Sequence, residues 1–137
     1  MFLIDSSAWI EFLRPRGNQK AKDCIREALQ KEEAVSFGIV IVEVLRGAQS
    51  EKDYRALSES LLNLPQIPLD DTVISRASQW GYVLDRKGKI VSTTDLVIAA
   101  AAYKRAIILH LDSDFERIAS EIDIEEERID RKKAELI

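Results

Sequence analysis

The chain has 137 residues, of which 46% are hydrophobic and 32% charged, enough for one globular domain with a substantial core. The net charge of −4 argues mildly against a nucleic-acid partner, and a single cysteine, Cys24, excludes an intrachain disulfide and a cysteine zinc site. No signal peptide is recognisable and the apolar runs are too short to span a bilayer, so we expect a cytoplasmic protein with no membrane role.

Short apolar strands alternate with helical patterns through the first half of the chain. Residues 1–4 are expected to form a strand that ends on Asp5, followed by a helix over 6–13 with Ser6 as its N-cap. The next regular elements are expected to be a helix over 18–32, a strand over 34–37 and a helix over 51–62. The apolar stretch 38–47 is ambiguous, because its β-branched residues favour a strand whereas its length between two glycines is typical of a helix.

The second half continues the alternation. Its expected elements are a strand over 65–69, a helix over 70–85, a loop over 86–92, a helix over 96–105, a strand over 106–111, a helix over 115–120 and a strand over 122–124. Strands alternating with helices predict an α/β domain with a parallel sheet covered on both faces. We expect this domain to occupy residues 1–124, and the charged residues 125–137 to form a helical C-terminal extension.

Several acids follow apolar strands. Asp5 follows the first strand, and Asp112 and Asp114 follow a later one. The carboxyl ends of neighbouring parallel strands meet at one edge of a sheet, where binding sites gather, so we expect these side chains to lie close together. One of the later pair can cap the helix that begins near Phe115, and we rank Asp112 above Asp114 for chemistry.

Two further acids have both a functional and a structural interpretation. Glu43 lies inside the apolar stretch 38–47, where an unpaired carboxylate is costly to bury and needs a cation or a strong hydrogen-bond donor. The structural alternative is an ion pair with Arg46 or a side chain that reaches solvent. Asp95 ends the sequence Ser92-Thr93-Thr94-Asp95, which fits a capping box, so it could serve only to begin the next helix.

A cluster of carboxylate oxygens suits Mg²⁺ or Mn²⁺ rather than zinc. Such ions polarise a phosphate oxygen and generate hydroxide from bound water. A glycine-rich phosphate loop is absent from the sequence, and His110 is the only histidine. His110 is more often a buried structural residue than a catalyst in such a position, but its place beside Asp112 leaves a supporting role open.

Four short motifs in order resemble the PIN-domain family, and are most similar to VapC-type toxins of toxin–antitoxin pairs. They are Asp5-x-Ser7 after the first strand, Glu43 within 42–47, Asp95 at the head of 95–100, and Asp112-Ser113-Asp114-Phe115. The resemblance implies a PIN-like three-layer α/β/α sandwich with a central, mostly parallel sheet, and a helix for residues 38–47. It also implies an Mg²⁺- or Mn²⁺-dependent endoribonuclease, with Asp5, Glu43, Asp95 and Asp112 as its acids, Ser7 as a hydroxyl near the metal and Asp114 as an auxiliary residue.

The same resemblance implies an RNA substrate, a cognate antitoxin, a homodimer, and DNA binding only through the antitoxin. Basic residues that could steer RNA are Arg14, Arg46, Lys87 and Lys89. The sequence departs from the family at His110, where a threonine or serine usually stands. Two other interpretations stay open at this point: a catalytically inactive PIN-like binding module, and an aspartate-based phosphotransfer domain.

Overall fold

The computed structural model describes residues 1–130. In this range the strands are β1 (Phe2–Ile4), β2 (Ala34–Phe37), β3 (Gln66–Ile67), β4 (Ile107–His110) and β5 (Glu126–Arg128). The helices are α1 (Ser6–Leu13), α2 (Gln19–Gln30), α3 (Gly38–Arg46), α4 (Glu51–Leu62), α5 (Asp71–Arg86), α6 (Thr93–Ala102) and α7 (Ser113–Ala119). None of these helices combines the length and the apolar composition needed to cross a membrane.

The five strands form one sheet in the order β3-β2-β1-β4-β5, and every neighbouring pair is parallel. Within β1, the consecutive residues Leu3 and Ile4 point to opposite faces of the sheet, yet both are fully buried. Helices must therefore cover both faces, as parallel sheets require. The predicted α/β architecture with a central parallel sheet is confirmed.

The ambiguous stretch 38–47 is a helix, α3, followed by Gly47 as its C-cap. Val40, Ile41 and Val44 lie on one face of this helix and are buried in the core. Helical spacing lets these three side chains pack together, and this tertiary packing outweighs the strand preference of β-branched residues.

The last strand is not where the sequence placed it. The strand predicted over 122–124 is wrong, and β5 lies at Glu126–Arg128, where it pairs with β4 in the register Ile108↔Glu126. The boundary placed at residue 124 therefore separates β5 from its own sheet, and the helix predicted over 125–137 is wrong for residues 126–128. Backbone hydrogen bonds to the edge of β4 hold this strand, so it needs no alternating apolar pattern. Residues 131–137 lie outside the described part of the chain.

The turn between α1 and α2 depends on a close backbone approach. The Gly17 amide donates to the Arg14 carbonyl at 3.1 Å. A Cβ atom at Gly17 would lie 1.8 Å from the Glu11 carbonyl oxygen, far inside van der Waals contact. Only glycine fits there without a shift of the backbone.

Candidate functional site

The candidate site lies at the carboxyl edge of the sheet. β1 and β4 are parallel neighbours with Ile4 opposite Leu109, so the residues that follow them, Asp5 and Asp112, emerge at the same edge. The beginning of α6 brings Asp95 to this edge, close enough for the charges of Asp112 and Asp5 to act on it. Asp5, Asp95 and Asp112, which are distant in the sequence, are therefore close enough for their charges to interact.

Asp5 is held by the turn that follows it. Its Oδ2 accepts hydrogen bonds from the Ser7 amide at 3.1 Å and from the Ser7 hydroxyl at 2.6 Å. The same Ser7 oxygen accepts from the Leu111 amide at 3.0 Å, so Ser7 joins the ends of β1 and β4. Asp5 is only 2% exposed, and its Oδ1 has no hydrogen-bond partner within residues 1–130. That buried oxygen is available to a cation.

The expectation that Ser6 caps α1 is wrong. Asp5 is the N-cap, because its backbone is extended and its carboxylate accepts from the Ser7 amide. Ser6 instead donates its hydroxyl to Oε1 of Glu43 at 3.2 Å. Capping therefore occupies one oxygen of Asp5 and leaves the other for the site.

Glu43 reaches the site from α3, where it is half-buried. Burial raises the pKa of Glu43, and the neighbouring charge of Asp5 raises it further. The hydrogen bond from Ser6 and, more weakly, the charge of Arg46 lower it. The charge of Asp5 thus acts on Glu43 more strongly than the charge of Arg46 does. This fits the functional interpretation of Glu43 better than an ion pair with Arg46.

Asp95 is not the reciprocal acid of a capping box. The Ser92 hydroxyl accepts from the Asp95 amide at 3.1 Å, as the motif predicts. The Ser92 amide, however, donates to Oδ2 of Asp114 at 3.0 Å, so Asp114 completes the cap. The carboxylate of Asp95 is left to face the other acids. Burial, a hydrogen bond with Asp112 and the charges around it raise the pKa of Asp95 to about 8.

Asp112 has both of the roles, helix cap and candidate metal ligand, that we expected Asp112 and Asp114 to divide between them. Asp112 itself caps α7, since its Oδ1 accepts from the Asp114 amide at 2.9 Å. Asp114 is engaged at both oxygens, because Arg117 donates to its Oδ1 at 2.8 Å and Ser92 to its Oδ2. Asp112 remains the better candidate ligand, since it also shares a hydrogen bond with Asp95.

The donors present fit a hard divalent cation. One carboxylate oxygen from each of Asp95, Asp112 and Asp114 lies within 4.8 Å of the others. Burial first, and then the charge of Asp112, raise the pKa of Asp5 against the hydrogen bonds from Ser7. Buried acids that repel one another while one oxygen stays unpaired are the arrangement that a bound cation relieves. An all-oxygen donor set suits Mg²⁺ or Mn²⁺.

These features define a parallel α/β domain that gathers carboxylates at the carboxyl edge of its sheet. The family model of PIN-domain sequences matches residues 2–121, and the chain belongs to the PIN-domain family. The family resemblance read from the four short motifs is thereby confirmed.

Curated relatives agree with this assignment. VapC ribonuclease Mb1587 of Mycobacterium bovis is 36% identical over 125 residues, which cover 87% of this chain and 92% of that protein. Ribonuclease VapC18 of Mycobacterium tuberculosis is 34% identical, with 88% of each chain covered. The similarity thus extends over nearly the full length of both proteins.

Solved structures share the fold. The FitAcB structure from Neisseria gonorrhoeae superposes with a TM-score of 0.75 at 23% identity, covering 93% of this chain and 97% of that one. The structure of DNA-bound VapBC from Salmonella typhimurium gives a TM-score of 0.74 at 23% identity, with 92% and 96% covered. At these identities the comparison supports the three-layer fold alone.

Two contacts at or next to the candidate site were missed in the sequence. Ser6 was taken as a helix cap rather than as the partner of Glu43. Glu126 was placed in a terminal extension, although its Oε1 lies 2.7 Å from Nε2 of His110. A polar strand carries no periodic signal that would have revealed Glu126.

Proposed function

We propose that this protein is a metal-dependent endoribonuclease that acts as the toxin of a toxin–antitoxin system. The relatives named VapC ribonucleases and membership of the PIN-domain family support this function. The observation that carries the proposal is the convergence of Asp5, Glu43, Asp95 and Asp112 at one edge of the sheet.

Asp5, Asp95 and Asp112 would hold the metal, and Glu43 would complete the site through water or a second ion. A bound Mg²⁺ or Mn²⁺ polarises a phosphate oxygen and lowers the pKa of a bound water. Ser7 holds Oδ2 of Asp5, and the buried Oδ1, which has no hydrogen-bond partner within residues 1–130, is left for the metal. Glu43 is half-buried and its pKa is raised, which suits it to accept a proton from the attacking water.

The substrate of this proposal is RNA, which basic side chains would attract. Arg14 is paired with Glu11, and Lys87 and Lys89 are both paired with Glu121, so these cations are partly neutralised. Exposed ion pairs of this kind are weak, about 0–1 kcal/mol, and phosphates can replace the carboxylates. Arg46 forms no ion pair within residues 1–130; it is exposed, and its charge acts on Glu43, so it could contact RNA close to the acids.

The proposal includes a cognate antitoxin, a homodimer, a cytoplasmic location and DNA contact only through the antitoxin. The structural neighbours support the antitoxin, since they include VapBC complexes solved with DNA. Exposed apolar side chains on and after α5, namely Ile74, Tyr82, Val83 and Ile90, offer surface for contacts with another chain.

The test compares RNA cleavage by purified, antitoxin-free protein and its Asp5→Asn variant in Mg²⁺, Mn²⁺ or EDTA. We expect the variant to lose cleavage by more than about 100-fold, beyond the 10- to 100-fold typical of residues that only support a metal ligand. Asp123→Asn, which makes the same change of charge at an exposed position, is the matched control. Undiminished cleavage by Asp5→Asn, or cleavage in EDTA, would reject the mechanism.

The same samples separate the alternatives. Protein that neither cleaves RNA nor binds Mn²⁺ in a calorimetric titration is a binding module rather than an enzyme. The phosphotransfer alternative predicts a phospho-aspartate at Asp5 after incubation with an acyl phosphate. Asp5 disfavours it, because this carboxyl is only 2% exposed and one of its oxygens is already bound twice by Ser7.

A further inference from the structure

We propose that His110 and Glu126 form a positioning pair that fixes Asp112 in the candidate metal site. The catalytic consequence of this pair depends on the proposed function, whereas its geometry does not. The pair links β5, the edge strand that the sequence did not reveal, to the loop that carries Asp112.

The hydrogen bonds of His110 define its tautomer. Nδ1 of the imidazole accepts from the Asp112 amide at 3.1 Å, so this nitrogen has no hydrogen of its own. The proton of the neutral ring is therefore on Nε2, which lies 2.7 Å from Oε1 of Glu126 and donates to it. A carboxylate that binds one ring nitrogen in this way fixes which nitrogen can act on the other side.

The imidazole is held rigidly between two elements. His110 is fully buried, and its ring lies 5.0 Å from that of Phe115 on α7. On the other side, the Ile129 amide beyond β5 donates to the His110 carbonyl at 3.0 Å. Glu126 and Ile129 thus fix the side chain and the backbone of His110 together.

This arrangement determines where the carboxylate of Asp112 points. The Asp112 amide is bound by His110, and its Oδ1 is bound by the Asp114 amide at 2.9 Å. The carboxylate therefore has little rotational freedom, and it shares a hydrogen bond with Asp95. The imidazole supplies an acceptor at the position where the family usually has a hydroxyl, and Glu126 ensures that the imidazole presents its acceptor nitrogen.

The first experiment is a nitrogen-15 NMR measurement of the imidazole tautomer. His110 is the only histidine, so its two ring nitrogens are assigned without ambiguity. We expect the unsubstituted, metal-free protein to carry its proton on Nε2 and to show Nδ1 as an acceptor. A proton on Nδ1 would overturn the proposal, whatever the catalytic activity of the protein.

The second experiment compares Glu126→Ala and Glu126→Gln with the control Glu125→Ala. Glu125 is exposed and contributes its backbone carbonyl to the sheet, so removal of its side chain changes only the charge. We expect Glu126→Ala to weaken Mn²⁺ binding and lower kcat by about 10- to 100-fold, with the KM for RNA unchanged. Glu126→Gln keeps an oxygen that accepts from Nε2, and we expect it to restore most of both quantities.

The two proposals fail in different ways. If Glu126→Ala and Glu125→Ala bind Mn²⁺ with the same affinity, or if Glu126→Gln is as impaired as Glu126→Ala, the positioning role is wrong. If the unsubstituted protein binds Mn²⁺ but cleaves no RNA, the proposed nuclease function is wrong, and the tautomer and the Mn²⁺ affinities still test the pair. Thermal unfolding of each variant separates a loss of positioning from a loss of folding.

Discussion

Binding of a divalent cation at the candidate site is expected to release a proton from Asp95. In the metal-free protein, burial, the hydrogen bond with Asp112 and the surrounding charges raise the pKa of Asp95 to about 8. A metal ligand must be deprotonated, so the cation and the proton compete for the same carboxylate.

The size of the effect follows from this pKa. At about pH 7, one unit below the pKa, roughly nine-tenths of Asp95 is protonated, so each bound Mn²⁺ displaces about 0.9 proton. At about pH 9 the carboxylate is already ionised and the release falls to about 0.1 proton. Between these limits the apparent affinity for Mn²⁺ rises with pH, by up to tenfold for each unit below pH 8.

Isothermal titration calorimetry with Mn²⁺ in two buffers of different ionisation enthalpy measures the release directly. The difference between the two observed heats, divided by the difference in buffer enthalpy, gives the number of protons. We expect Asp95→Asn to bind Mn²⁺ more weakly and to release fewer protons, and Asp123→Asn, at an exposed position, to release as many as the unsubstituted protein. Equal heats in the two buffers at pH 7 would refute the reasoning.

Three further predictions concern stability. The metal-free protein is expected to lose stability as the pH rises from about 4 towards the raised pKa values that buried carboxyls such as Asp5 and Asp95 have in the folded state. The reason is that the same carboxyls ionise at lower pH in the unfolded chain. The melting temperature in EDTA at pH 6 and pH 8 measures the effect. Ser7→Ala is expected to lower the free energy of unfolding by about 1–3 kcal/mol in urea titrations, because the partly buried Leu111 amide loses its acceptor. Gly17→Ala is expected to cost about 1–3 kcal/mol or more through its backbone clash, whereas Gly38→Ala, in open space on a helix, is neutral or stabilising.

Each of these predictions has an outcome that contradicts it. A melting temperature that rises from pH 6 to pH 8 in EDTA would show that the acids of the site are not destabilising when ionised. Ser60→Ala, at an exposed position on α4, is the control for Ser7→Ala, and equal effects of the two would deny the bridge between β1 and β4. Equal stability of Gly17→Ala and Gly38→Ala would show that the turn after α1 tolerates a side chain.

The sequence was sufficient to predict that Asp5 and Asp112 lie at one edge of the sheet, because the topology of a parallel sheet is simple. Apolar strands that end on Asp5 and Asp112 had to emerge at one edge once the strands were parallel neighbours. Glu43 was identified because a carboxylate inside an apolar segment needs a partner. Composition alone left open whether that segment was a strand or a helix, because it is apolar on every face; the family resemblance favoured the helix that the structure has.

The local hydrogen bonds were harder to predict than the site. Asp5 and Ser6 are both good N-caps, and the choice between them depends on Glu43, which is 37 residues away from Ser6. Ser92 and Asp95 fit a capping box, yet Asp114 takes the second half of it through a tertiary contact. Residues distant in the sequence determine which side chain caps each helix, and no local sequence pattern predicts the choice.

The order of the strands also limits how this sheet can grow. One edge strand, β3, has only two residues and lies between Pro65 and Pro68, which have no amide hydrogen to offer a further strand. The opposite edge, β5, consists of two glutamates and an arginine. An incoming backbone would meet proline on one side and charge on the other, so neither edge favours the uncontrolled lateral association that leads to fibrils.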